Sequence, residues 1–107
     1  MERSEIPLTC DAAALPEAER AAHFALARRL VGLAEERTEL VDGYILRYPA
    51  GVLADVARFI DNERRCCPFL TFELVIPANE DVVWLRMTGP AGTRAALDHE
   101  LSLTEEV

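Results

Sequence analysis

Two cysteines stand side by side at Cys66 and Cys67, inside the run Glu63-Arg64-Arg65-Cys66-Cys67-Pro68-Phe69. Thiolates are soft donors that select zinc, copper(I) and other thiophilic ions, and a carboxylate can complete such a site. By the same softness mercury(II) and trivalent arsenic are candidate ligands. Two adjacent thiols do not make a four-donor structural zinc site, and the paired C-x-x-C spacing of such sites is absent. A site with two or three thiolates is geometrically easier, provided that the distant Cys10 comes near the pair. Glu63 precedes the cysteines by three and four residues, a helical step that carries a carboxylate to the same corner. His23 is a further donor candidate, although its place between apolar and charged rows reads more simply as a surface or boundary position. The candidate metal ligands are therefore Cys10, Cys66, Cys67, Glu63 and His23.

Electrostatics argues against a strongly activated nucleophile. A helix C-terminus presents carbonyl oxygens that disfavour a thiolate, while Arg64 and Arg65 favour one. Ion binding thus ranks above cysteine catalysis, and no catalytic residue is assigned. The competing reading is that the cysteines are small buried hydrophobes that fill a corner of the core. Neighbouring Cα atoms lie about 3.8 Å apart, below the usual disulfide range, so a bond between Cys66 and Cys67 would be strained. Cys10 can pair with either one, and an odd thiol remains in every case. A reducing cytosol would keep all three as thiols.

The elements that must position these residues follow from periodicity. Ile6 to Cys10 reads as a short run that Pro7 confines to an edge strand. From Pro16 to about Glu36 the chain is rich in helix formers, with Ala22, Leu26, Leu30 and Leu33 as the apolar stripe. Thr38 to Tyr48 is extended, and Asp42-Gly43 offers a hairpin turn or a bulge. Tyr44, Leu46 and Tyr48 share one face of that strand. A second helix runs from about Ala50 to Arg65, with Val52, Val56, Phe59 and Ile60 turned inward. Pro68 ends it, because a residue before proline is pushed away from helical angles. Leu70 to Ile76 and Val82 to Thr88 alternate as the two strands of a hairpin. Gly89-Pro90-Ala91-Gly92-Thr93 then opens a last helix carrying Ala95, Leu97, Leu101 and Leu103. Its glycine spacing is wrong for a phosphate loop, so ordinary capping explains it. The pattern predicts an α+β fold of two layers, a mainly antiparallel sheet with three helices packed largely on one face.

Composition narrows the function classes. The 107 residues carry 19 acidic and 11 basic side chains, a net charge of -8, and every basic residue is Arg. Without Lys there is no Schiff base, phosphate-loop lysine or lysine general base. An acidic surface repels phosphate backbones, and Arg28-Arg29 and Arg64-Arg65 read as salt-bridged surface pairs rather than a nucleic-acid patch. One domain over residues 1–107 is expected at this length, since two cores would each be too small. The sequence shows no basic head followed by an apolar run at its start and no apolar run long enough for a membrane helix, so a cytoplasmic protein is the expectation.

The segment Glu63 to Phe72, with Trp84-Leu85-Arg86 and Thr88-Gly89-Pro90 after it and Leu8-Thr9-Cys10 and Asp42-Gly43-Tyr44 before it, resembles a family of small bacterial proteins without an assigned activity. The family is associated with heavy-metal or arsenic resistance gene neighbourhoods. The resemblance implies that Cys10, Cys66 and Cys67 act together; it supplies no substrate or catalytic role. The leading expectation is therefore a binder of mercury, arsenite or zinc, with a thiophilic ion as partner and no nucleic acid or membrane. The alternatives are a non-catalytic structural or protein-interaction module, including a homodimer, and a thiol redox sensor or enzyme.

Overall fold

The computed structural model of the protein describes residues 8–101. Helix α1 (Glu17–Leu33) is followed by strands β1 (Glu36–Leu40) and β2 (Gly43–Pro49), helix α2 (Leu53–Cys66), strands β3 (Thr71–Val75) and β4 (Val82–Thr88), and helix α3 (Thr93–Leu101). Short 3-10 turns precede α1 at Ala12–Ala14 and α2 at Ala50–Val52. The four strands form one sheet in the order β1-β2-β4-β3, with every neighbouring pair antiparallel.

Strand alternation builds the core as expected. Tyr44 faces Met87, Leu46 faces Leu85 and Tyr48 faces Val83 across the central pair, and Phe72 and Leu74 extend the same surface on β3. Against it lie Leu26, Ala27 and Leu30 of α1, Val56 and Phe59 of α2, and Leu97 of α3, so all three helices cover one face. The fold is α+β, a two-layer domain in the sense expected. A fully buried aliphatic or aromatic side chain is worth roughly 1.5–3 kcal/mol over an exposed one, and this interleaved set supplies the main driving force for layer packing. Tyr44 also ties α3 to β2 by donating its hydroxyl to the Asp98 carboxylate. Burial, then Asp98, pushes the Tyr44 phenol up to about 12. The opposite sheet face carries Trp84 beneath the Arg47 guanidinium, 5.6 Å from the ring centroid, and the Arg86–Glu73 pair.

The hairpin between β1 and β2 turns at Val41 and Asp42, one residue earlier than Asp42-Gly43. Gly43 belongs to the strand, where a Cβ would collide with the Met87 carbonyl of β4. Helix α1 ends at Leu33 instead of about Glu36, because Glu35 N-H donates to the Arg47 carbonyl at 2.7 Å and draws the chain into the sheet. Its buried stripe is His23, Leu26, Ala27 and Leu30, while Ala22 and Leu33 are exposed.

The strand expected at Ile6 to Cys10 is not formed by its described residues, Leu8 to Cys10. This segment lies instead against the end of α2, where Asp11 N-H donates to the Cys66 carbonyl at 2.8 Å. Both available sheet edges stay unpaired with it, and the tether to α2 takes the place of strand pairing. Ile6, Pro7 and Leu103 lie outside the described residues.

Candidate metal centre

Helix α2 is amphipathic along Val56, Phe59, Glu63 and Cys66, all buried, in steps of three and four residues. Glu63 thus follows Phe59 into the interior, as its spacing predicts. Arg64 and Arg65 occupy the last turn, where positive charge meets the helix carbonyls, and both pair with surface acids, Arg64 with Asp61 and Arg65 with Glu19. Cys67 leaves helical geometry at φ −121° and ψ 79°, and its N-H closes the helix on the Glu63 carbonyl at 2.7 Å. That single departure from the helix sends the neighbouring thiols in different directions.

Cys67 is joined to Cys10 by a disulfide that spans 57 positions, with the Cα atoms 4.3 Å apart. The expectation of three free thiols therefore fails for two of them, and the neighbours Cys66 and Cys67 do not converge as a pair. Cys66 is a free, buried thiol packed with Leu15, Cys67 and Phe69. Proximity of Cys10 to the Cys66-Cys67 segment is met, and the odd thiol is Cys66.

Glu63 sits at the centre of the cluster with 1% of its surface exposed. Its Oε2 lies 2.9 Å from Cys67 Sγ, and its Oε1 is 2.7 Å from His23 Nε2. A sulfur in a disulfide has no proton to give; on reduction the Cys67 thiol would donate S-H to Oε2 at this separation. The other carboxylate oxygen, Oε1, accepts from Nε2-H of His23. The His23 ring stacks on Phe59 at 5.8 Å between centroids. His23 is 4% exposed, which overturns its reading as a boundary residue. The missed signal was its phase: His23 precedes Leu26, Ala27 and Leu30 by three, four and seven residues, on one helical face.

One ligand atom each from Cys10, Glu63 and Cys67 falls in a group with all mutual distances within 4.8 Å. The structure brings those three together, attaches His23 through Glu63, and leaves Cys66 outside the group. Burial, then the nearby Glu63 and Glu100 carboxylates, pushes the Cys66 thiol up, against a smaller lowering by Arg65. Its reactivity is therefore suppressed. In the oxidised protein, where Cys66 is the sole thiol, iodoacetamide labelling should become half-maximal only on the alkaline side of about pH 8.5, the ordinary thiol value. A half-maximal rate at or below that pH would contradict the assignment.

Among the described residues no helix is long and apolar enough to cross a membrane. No protein-family model, curated protein or solved structure matches the chain.

Proposed function

We propose that the protein binds a soft metal or metalloid ion, with mercury(II), arsenite and zinc as the candidate class, through Cys10 and Cys67 in the reduced state, with Glu63 as the third donor. The supporting observation is the convergence of those three side chains at the end of α2. The disulfide makes the site redox-gated. A dithiol reductant breaks the Cys10–Cys67 bond, delivering two electrons and two protons to the pair and leaving as its own disulfide. Ion binding then releases the thiol protons, because the thiolate is the ligand. Two thiolates and one carboxylate suit ions that accept two or three donors, whereas zinc would need a fourth from water. His23 orients Glu63 and Cys66 remains in the packing; neither is a ligand in this reading.

Titration of the protein with each ion before and after reduction tests the proposal. The reduced protein should bind at least about 100-fold more tightly than the oxidised one. Cys10→Ser and Cys67→Ser should each abolish that gain, and Cys66→Ser should preserve it. Equal, weak binding by oxidised and reduced protein would remove the site.

The disulfide itself favours a second reading, a structural cross-link that holds the segment before α1 to the end of α2. The stability of the reduced chain, with and without a soft ion, separates the two.

A further inference from the structure

His23 and Glu63 also line a second feature, a pocket of about 450 Å3 between α1 and α3. Phe24, Val31 and Leu101 give it apolar walls, and Glu100 faces it from α3. Phe24 is 40% exposed, a large aromatic surface left in water beside a concave site. Apart from the Arg28 guanidinium and the His23 ring, the ionisable side chains that line this space are carboxyl groups. Glu63 and Glu100 bring carboxyl groups, and His23 Nδ1 is buried with no hydrogen-bond partner among the described residues. With Nε2 committed to Glu63, Nδ1 is the ring nitrogen left to meet a ligand. A buried polar atom without a partner costs free energy that a suitable ligand recovers.

We propose that this pocket binds a small organic cation, an apolar body bearing an ammonium or amidinium group whose N-H donors meet Glu63 and Glu100 beside the unpartnered Nδ1 of His23. Positive charge and N-H donors complement the two carboxyl groups, and the apolar walls define the rest of the molecule. Partial burial and the field of Glu63 push the Glu100 carboxyl up, so a cation between the two carboxylates would relieve their repulsion. Arg28 is the one guanidinium among the described lining residues, which makes an anionic ligand the alternative to be tested. The inference does not rest on ion binding by the cysteines, since neither Cys10 nor Cys67 lines the pocket.

The test uses the full oxidised chain and four probes of one shape: benzylammonium, benzamidinium, benzyl alcohol and benzoate, followed by calorimetry and by the chemical shifts of the His23 ring. The two cations should bind at least about ten-fold more tightly than the alcohol or benzoate and should shift the His23 resonances. Glu100→Gln should reduce that preference to about two-fold or less. Gly32 offers a second variant, because it lines the pocket and a Cβ there meets no atom within 4 Å. Gly32→Leu should fold with an unchanged or higher Tm, since a helical glycine is replaced, and should abolish binding. Tighter binding of benzoate, equal affinity for all four probes, no binding by any of them, or undiminished binding by Gly32→Leu would each overturn the proposal.

Discussion

Reduction of the Cys10–Cys67 disulfide is expected to cost about 4 kcal/mol of folding stability, from the chain-entropy cost of a loop of this length. The bond joins positions 57 residues apart, so the loop it closes contains α1, the β1-β2 hairpin and α2. Domains of this size have a total stability of roughly 5–15 kcal/mol, which means the reduced protein should still fold, though with a much smaller margin. Urea unfolding with and without a phosphine reductant measures the difference, and Cys67→Ser should match the reduced protein. Cys66→Ser serves as the control, because its thiol is outside the bond, and its midpoint should still fall with reductant. Coincident midpoints for oxidised and reduced protein would show that the cross-link carries no stability. A folded reduced state is also the one that the ion-binding proposal requires. Should the ion bind, it would restore about 4 kcal/mol at a concentration near 1,000 times its Kd. Loss of stability that mercury(II) or arsenite reverses favours the ion site; loss that no ion reverses favours the purely structural cross-link.

The second large effect is expected at His23. Glu63 is buried with its Oε1 held by His23 Nε2, and His23→Leu would leave that buried oxygen without this partner. Removing one member of a buried ionisable pair costs about 3–5 kcal/mol, mostly as the desolvation penalty of the group left behind. The double variant His23→Leu, Glu63→Leu removes both polar groups and should be more stable than His23→Leu alone. Urea midpoints of the two single variants and the double variant form the required cycle. If the double variant lost the sum of the single losses, the two side chains would be acting independently and the coupling would be refuted.

Legibility of these features in the sequence followed their range along the chain. The sheet face of Tyr44, Leu46 and Tyr48, the hairpin of β3 and β4, and the inward turn of Glu63 are local periodicities, and each strand or helix displays its own. The boundaries of α1 and the β1-β2 turn moved by one to three residues because strand pairing, here Glu35 with Arg47, decides where a helix gives way. Polarity misled the reading of His23, whose ring is accepted inside only because a carboxylate forty residues away is buried with it. The choice of Cys67 over Cys66 as the partner of Cys10 was not readable, since it depends on how the segment before α1 crosses the end of α2. That same crossing explains the missing first strand.

The departure of Cys67 from the helix gives this segment an unusual tolerance to change. Cys66 and Cys67 are chemically identical, yet about 100° of helical phase and one non-helical residue separate a packed thiol from a cross-linked one. Arg64 and Arg65 are on the surface, and their ion pairs and hydrogen bonds among the described residues are exposed, so many side chains would serve in their places. Their number is another matter. Deleting either one would carry the second cysteine into the packed position and turn Glu63 out of register with the sulfur it now faces. The stretch from Glu63 to Cys67 should therefore accept substitutions at two of its five positions and accept no change of length, which makes it a ruler before it is a motif.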